Sequence, residues 1–291
     1  TTAIGSLSVK NMEKVNLTSI AGVTTDVSTW GTTDLTVSNT QAGNITATGG
    51  TTTNTTATNT FSSGTVTISG GVAQTASTVA GAITLSGASG ALTATGTKMA
   101  ANAVSINGGS SVSVTTTGVS TGAITVGGTT APTGAVTISA TSGTTGGVTM
   151  GAITVNGGTT VTVTETRGND VNTTDAMGAV TVNGKSTTTA VTVTQSAKAT
   201  ASATKSGVTN GDVTITDVNS GSATKAGSIA TVSLTNFKDA SVNSGALSTV
   251  TLSGSGTTFN AGTSGALTTP AVTTMTLNAN GITTTGAVTF D

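Results

Sequence analysis

The sequence has no cysteine, histidine or tyrosine, and only 7% of its 291 residues are charged. The absence of cysteine excludes a disulfide scaffold and any thiolate metal site. The groups left for general acid–base or nucleophilic catalysis are Ser, Thr, Lys and the carboxylates. Nine Lys and Arg and ten Asp and Glu give a net charge of −1. So few scattered cations do not neutralise a row of phosphates, and we predict no nucleic-acid partner.

Long apolar runs and aromatic side chains are equally scarce. Aromatic residues make up 2% of the chain. No apolar run approaches the roughly 20 residues that a membrane-spanning helix needs, so we predict no membrane insertion. The N-terminal stretch lacks the basic start and apolar segment of a signal peptide. Because the chain also begins without Met, we expect an internal piece of a longer protein.

Glycine is abundant, with 40 residues, and Thr, Ser, Ala and Val fill most of the remainder. Disordered chains usually combine few β-branched residues with a high net charge, and this chain shows neither property. Aliphatic residues instead alternate with Thr or Ser in short runs. That pattern predicts strands with one buried face and one exposed face.

Two kinds of strand recur along the chain. The first starts with Gly and a small residue, followed by alternating aliphatic and Thr positions; its copies begin at Gly64, Gly81, Gly122, Gly134, Gly151, Gly178, Gly211 and Gly286. The second kind lacks the leading Gly, as at residues 111–115, 160–164, 190–194, 229–234 and 250–252. Asn-Gly pairs between the strands, as at residues 107–109 and 156–158, predict turns.

These features predict an all-β fold, an elongated and irregular parallel β-solenoid. A single coil cannot bury its aliphatic face, whereas stacked coils form one continuous core. The leading glycines are unevenly spaced, since Gly122 and Gly134 are close together whereas Gly81 and Gly122 lie far apart. The coils are therefore expected to differ in length. We predict an N-terminal β segment (residues 1–60), with a Thr- and Asn-rich loop at residues 48–60, and a repetitive solenoid array (residues 61–291).

Calcium is the metal that the acids suit best, because Ca²⁺ takes six to eight oxygen ligands from carboxylates, amides, carbonyls and water. Neither an EF-hand loop nor a Gly-Gly-x-Gly-x-Asp nonapeptide repeat is present in the sequence. We predict Ca²⁺ as the cofactor, with seven candidate ligands: Asp170, Asn172 and Asp175 on one loop, Asp212 and Asp217 around one strand, and Asp26 and Asp34 beside Trp30.

Two alternatives involve a ligand outside the protein. A polysaccharide-active enzyme would use paired carboxylates, and Glu165, Asp170 and Asp175 are the closest grouping of acids. Polar turn residues are mostly structural, so we predict no catalytic residue and no enzyme. The Thr-x-Thr pattern suggests a binder of ice or carbohydrate. Ice binding needs Thr pairs in register on successive coils, and the irregular spacing argues against that register.

Several segments resemble a known family. Residues 11–17 (Asn-Met-Glu-Lys-Val-Asn-Leu) are similar to the Gly-Ile-Glu-x-Val-Asn-Leu phrase of RTX-type bacterial surface-layer (S-layer) proteins. Residues 156–174, 186–195, 210–217 and 280–287 resemble the Thr- and Gly-rich middle region of such a protein. The similarity covers most of the chain and is clearest in its second half.

The resemblance implies a secreted, extracellular protein at the cell surface that self-assembles into a lattice held together by Ca²⁺. Anchoring to surface polysaccharide would come from regions outside this chain. Among the candidate ligands, Asp212 and Asp217 lie within the matching phrases. We therefore predict a structural module of a calcium-dependent surface layer whose partner is a second copy of the chain. An adhesin stalk and an ice- or carbohydrate-binding solenoid are the alternatives.

Overall fold

The computed structural model describes residues 11–144, 146–168, 171–222, 224–262, 274–279 and 281–290. Those residues form 27 β-strands and no helix. The described part of the chain therefore contains no helix of the length and hydropathy needed to cross a membrane. The prediction of an all-β fold is confirmed.

Almost all strands belong to two long sheets in which every pair is parallel. The first sheet contains β1 (Lys14–Ser19), β3 (Asp34–Asn39), β5 (Asn54–Asn59), β7 (Gln74–Thr78), β9 (Ala91–Gly96), β11 (Ser111–Val119), β13 (Val136–Ser142), β15 (Thr160–Thr166), β18 (Ala190–Gln195), β21 (Thr231–Thr235), β23 (Thr249–Gly256), β25 (Thr276–Asn278) and β26 (Ile282–Thr284). The second contains β2 (Val23–Asp26), β4 (Ile45–Thr48), β6 (Val66–Ser69), β8 (Ile83–Ala88), β10 (Val104–Gly108), β12 (Ile124–Val126), β14 (Ile153–Asn156), β17 (Val180–Asn183), β20 (Val213–Thr216), β22 (Asp239–Asn243), β24 (Thr258–Gly262) and β27 (Val288–Phe290). A short separate sheet pairs β16 (Thr174–Ala176) with β19 (Gly207–Thr209).

Each coil contributes one strand to each long sheet, which is the predicted parallel β-solenoid. Twelve coils stacked at the usual strand spacing of about 4.8 Å give a body roughly 50 Å long. The coils are irregular, as predicted. The coil that leads from Val191 to its partner Val232 is more than twice as long as the next one, from Val232 to Val250. The additional residues lie mainly in the connections between strands, so the strands stay in register apart from irregularities near the ends of β10 and β11.

The core is a thin layer of aliphatic side chains between the two sheets. In β6, Val66 and Ile68 are fully buried, whereas Thr67 and Ser69 are half-buried on the outer face. The same alternation recurs from strand to strand, so that equivalent side chains stack in columns along the solenoid. Each strand alone would leave these side chains in water, and stacking is what removes them from it.

The two kinds of strand predicted from the sequence correspond to the two sheets. Seven of the eight leading glycines precede strands of the second sheet, namely β6, β8, β12, β14, β17, β20 and β27. The eighth, Gly134, precedes β13 of the first sheet. Strands without a leading glycine, such as β11, β15 and β18, belong to the first sheet.

The leading glycines stack at a corner where successive turns approach too closely for any side chain. A Cβ at Gly81 would overlap the carbonyl oxygen of Gly64, and a Cβ at Gly178 would overlap that of Gly151. We call this column of turns the glycine corner; it contains Gly43, Gly64, Gly81, Gly122, Gly151, Gly178 and Gly211. Glycine is needed there because backbone packs directly on backbone.

The prediction of a loop at residues 48–60 is wrong for its second half. Asn54–Asn59 forms β5, which pairs with β3 and β7. The tract has few aliphatic residues, but the inward side chains of Thr55, Ala57 and Asn59 are buried all the same. Ladder hydrogen bonds from both neighbouring strands hold it in the sheet. Both sheets continue across residue 60, so the predicted domain boundary coincides with no break in either sheet.

Replacing Gly81 with Ala is expected to destabilise the protein, because the new methyl group would collide with the backbone of Gly64. We expect a loss of about 2–3 kcal/mol in the free energy of unfolding, measured by urea denaturation. Gly143→Ala is the control, because its Cβ would first meet Val148 at an ordinary 3.6 Å and the change should stay within about 0.5 kcal/mol. Equal effects of the two substitutions would contradict the glycine corner.

Candidate functional site

Polar side chains occupy an inward column of the first sheet, where its strands approach the glycine corner. Paired positions follow one another in strict register along the sheet. We call the members that bond the corner the polar column: Asn39, Asn59, Thr78, Glu165 and Gln195. All five are buried, so each needs a hydrogen-bond partner inside the protein.

In the early coils, the polar column bonds the backbone of the glycine corner through amide groups. Asn59 donates from Nδ2 to the carbonyl oxygen of Gly43 over 2.9 Å, and Asn39 donates to the same oxygen over 3.1 Å. The Oδ1 atom of Asn39 accepts from the N–H of Gly22 at 3.2 Å. Amides suit this place because one side chain both donates and accepts.

In the later coils, Glu165 and Gln195 take over the same role. The N–H of Gly178 donates to Glu165 Oε1 at 3.0 Å, and Gln195 Nε2 donates to the Gly178 carbonyl at 3.1 Å. The N–H of Gly211 donates to Gln195 Oε1 at 2.9 Å. Gln195 Nε2 also donates to Glu165 Oε2 at 2.7 Å, which links the two side chains.

Among the acids of the described chain, Glu165 has the most strongly shifted pKa. Burial raises the pKa of its carboxyl group to about 7, although the hydrogen bonds from Gln195 and Gly178 act to lower it. Only 1% of the residue is exposed. A carboxyl group enclosed in this way does not reach a polysaccharide outside the solenoid, so its position fits a structural role.

Asp175 is also buried, and it is the middle residue of β16 in the short separate sheet. The hydroxyl group of Ser142 donates to its Oδ2, and the N–H groups of Val148 and Gly168 lie 3.3 Å from its two oxygens. Its neighbour in the predicted calcium loop, Asn172, is exposed instead and has a positive φ of 59°. Asp170, predicted for the same loop, lies outside the described residues.

Asp217 anchors a long connection of the solenoid, between β20 and β21. The N–H groups of Ser228 and Ile229 donate to its Oδ2 at 2.8 and 2.7 Å, and the hydroxyl of Ser244 donates to the same atom at 2.6 Å. Its Oδ1 accepts from the N–H of Val218 at 2.6 Å. Both oxygens are thus occupied by protein donors, and the residue is 3% exposed.

Asp212, predicted as a ligand together with Asp217, lies at the surface. Its carboxylate is 3.3 Å from the ammonium group of Lys238, which also lies 3.8 Å from Asp239. All three side chains are about half exposed, so the ion pairs add little stability.

Asp26 and Asp34 are also accessible to solvent. The hydroxyl and N–H groups of Ser28 lower the pKa of Asp26 by hydrogen bonding to its carboxylate. Asp34 lies 3.8 Å from Lys14 and accepts a hydrogen bond of 3.4 Å from Asn54.

The described candidate ligands lie at separate places in the fold. Within the described ranges, no three acids come together in an arrangement that could hold a metal ion. Asp175 and Asp217 are enclosed by protein donors, whereas Asp26, Asp34 and Asp212 lie apart from them at the surface. Calcium binding therefore stays a prediction.

Sequence reasoning missed the polar column. Asn39, Asn59 and Gln195 were not singled out, and Glu165 was considered only for catalysis. The available signal was an amide or acid at the last inward position of a strand, shortly before a glycine turn, as with Asn39 and Gly43 or Asn59 and Gly64. Asn and Gln there supply donors and acceptors for the turn.

The chain matches no model of a protein family, and a search of curated proteins finds no match either.

Raising the pH is expected to destabilise the protein through Glu165. Its pKa is 4.5 in the unfolded reference and about 7 in the folded protein, so the folded state binds the proton more tightly. The associated stability is fully present below pH 4.5 and is lost as the pH rises through about 7. The shift corresponds to about 3 kcal/mol. Urea unfolding across this range should give a flatter profile for Glu165→Gln. Glu13→Gln, at the exposed second glutamate, should keep the wild-type slope; an unchanged slope in Glu165→Gln would contradict the assignment.

Removing the Asp217 carboxylate is expected to loosen the connection between β20 and β21. Asp217→Ala leaves the N–H groups of Ser228 and Ile229 without their acceptor, which should cost about 3 kcal/mol in the free energy of unfolding. Asp212→Ala, the matched surface change, should cost less than about 1 kcal/mol. Hydrogen exchange should show faster exchange at residues 228–229 in Asp217→Ala alone. Similar losses in both variants, removed by excess chelator, would point to a shared calcium site instead.

Proposed function

We propose that this chain is a structural module that assembles end to end with further copies of itself in an extracellular surface layer. The observation that carries the proposal is the apolar surface of the last described coil, where side chains at core positions are partly exposed. A further coil stacked on that surface would cover them.

The side chains at the core positions of the last strands are more exposed than their partners in the preceding coil. Phe290 pairs with Ala261, and Leu277 pairs with Val250. Ala261 and Val250 are buried, whereas Phe290 is 36% and Leu277 40% exposed. Val288, beside Phe290 in β27, is 39% exposed. These residues have the pattern of core positions, and a further coil stacked on them would remove them from water.

The end strands also offer backbone hydrogen bonds to a stacked copy. β25 and β27 have described neighbours on one side only, and so do β1 and β2 at the opposite end. A parallel edge strand is a template for one more parallel strand. Because the two ends of the solenoid differ, contact between them is head to tail. Head-to-tail contacts that do not close into a ring generate filaments.

The resemblance to RTX-type surface-layer proteins supports placing this assembly at the cell surface. It also brings calcium into the proposal. Among the described candidates, Asp26 and Asp34 have solvent-facing carboxylates in the first coils, so they are the ones available for an ion held between stacked copies. Buried Asp175 and Asp217 already bond their own chain.

Phe290→Lys is expected to weaken assembly, because it places a charge on the apolar end. Sedimentation velocity over a concentration series should show oligomers of the wild-type chain, and negative-stain microscopy should show filaments or rows. Both should decrease in Phe290→Lys. Val218→Lys is the control, since Val218 is similarly exposed at 42% but lies in a connection, away from the core columns.

Each experiment is run with millimolar Ca²⁺ and with excess chelator. Assembly that dissolves in chelator supports the calcium-dependent layer. Single rods at every concentration in both conditions would contradict self-assembly and favour the adhesin stalk.

A further inference from the structure

The outward side chains of the first sheet form two columns of hydroxyl groups. In ten consecutive strands, from β3 to β23, both central outward positions are Thr or Ser. For example, these positions are Thr56 and Thr58 in β5, and Thr162 and Thr164 in β15. We call these two columns the hydroxyl face. Its residues are half-buried to exposed, as expected for the outer surface of a sheet.

The unequal lengths of the coils do not disturb the columns. Thr162 pairs with Thr137 in the preceding coil and with Thr192 in the following coil, although these two coils differ in length. The hydroxyls stay in register because the additional residues of each coil lie in its connections. The irregular spacing of the repeats predicted that the hydroxyl groups would not lie in register. The observed strand pairing shows that they do.

The hydroxyl groups are available to a ligand. Among the side-chain hydrogen bonds of the described residues, one involves members of the columns, between the hydroxyls of Thr235 and Ser253 at 2.8 Å. Each of the others keeps one donor and two acceptor sites for molecules outside the protein. None of the twenty positions carries a charge, so the face has no strongly hydrated group that would disrupt an ordered layer of water.

The spacing of the hydroxyl face is that of a regular grid. Neighbouring strands place hydroxyls about 4.8 Å apart along a column, and residues i and i+2 of a strand lie about 6.6 Å apart across it. The spacing along a column, which recurs over ten strands, is close to the shorter oxygen repeat of hexagonal ice. A crystal surface therefore contacts many coils at once, and weak water-mediated hydrogen bonds add up through multivalency.

The outer face of the second sheet is also built from stacked parallel strands, but its outward side chains do not form two continuous columns of free hydroxyl groups. One of its columns is rich in Thr and Ser, but the other bonds to itself. Asn183 donates to Asn156 over 2.7 Å, and the hydroxyls of Thr48 and Ser69 lie 3.2 Å apart. At the end of β12 this column is interrupted by Gly127. The second sheet is therefore an internal control.

We propose that the hydroxyl face binds the surface of ice crystals. The inference goes beyond end-to-end assembly and does not depend on it, because it concerns the side of the solenoid and not its ends. Ice is favoured over a crystalline polysaccharide because the two columns contain no aromatic ring to provide a large apolar contact for a sugar.

Thermal hysteresis and the shaping of single ice crystals test the proposal on the whole chain. The wild type is expected to lower the freezing point below the melting point and to produce faceted crystals. Thr162→Lys, in the middle of the hydroxyl face, should lose most of this activity, because a charged side chain lifts the crystal from the grid. Circular dichroism and the unfolding midpoint confirm that each variant is folded.

Thr154→Lys is the matched control. Thr154 occupies an outward position between two buried residues of β14 in the second sheet, as Thr162 does in β15. Its neighbours in the adjacent strands are Thr125 and Thr181, and it is half-buried like Thr162. It should keep the wild-type activity. Phe290→Lys should keep it as well, which separates ice binding from assembly.

Three outcomes would overturn the proposal. The first is the absence of hysteresis and crystal shaping in the folded wild type. The second is an equal loss in Thr162→Lys and Thr154→Lys. The third is binding to insoluble cellulose or chitin that depends on Thr162 and occurs without any effect on ice.

Discussion

The close approach of successive turns at the glycine corner is the constraint on which this solenoid depends. Parallel strands in register set the rise from coil to coil at about 4.8 Å, and the turns must follow the same rise. At Gly64, Gly81 and Gly178 backbone rests on backbone, so no side chain fits. The polar column follows from this geometry, because the peptide groups of the corner need partners that the sheets do not supply. Asn39, Asn59, Glu165 and Gln195 provide them.

The buried acids extend the same principle to the long connections. Asp217 gathers the N–H groups of Ser228 and Ile229 at the base of the longest described coil. Asp175 bonds Val148 and Gly168 where the chain leaves the main sheets to form β16. In a chain with so few charges, these carboxylates serve as acceptors for backbone that lies outside the sheets. That role accounts for their burial.

The coils differ in length mainly in their connections. The side-chain columns on the faces of the solenoid therefore stay in register. The last described coil continues the core columns into partly exposed Leu277, Val288 and Phe290, which suits the proposed stacking of one copy on another. The side continues the Thr and Ser columns over ten strands, which suits a repeating ligand. Assembly and ice binding use different surfaces of one body, so neither proposal requires the other.

The sequence by itself determined the strands, their buried and exposed sides and the parallel solenoid, because a period of two residues is a local property of the chain. The leading glycine also marked seven strands of the second sheet, although Gly134 precedes a strand of the first. The tertiary structure decided the register, the strand at Asn54–Asn59 and the roles of the acids. Those depend on partners in other coils, far away along the chain, which local patterns do not specify. Glu165 was therefore visible in the sequence as an acid, but its enclosure beside Gln195 and Gly178 became evident only when the coils were stacked.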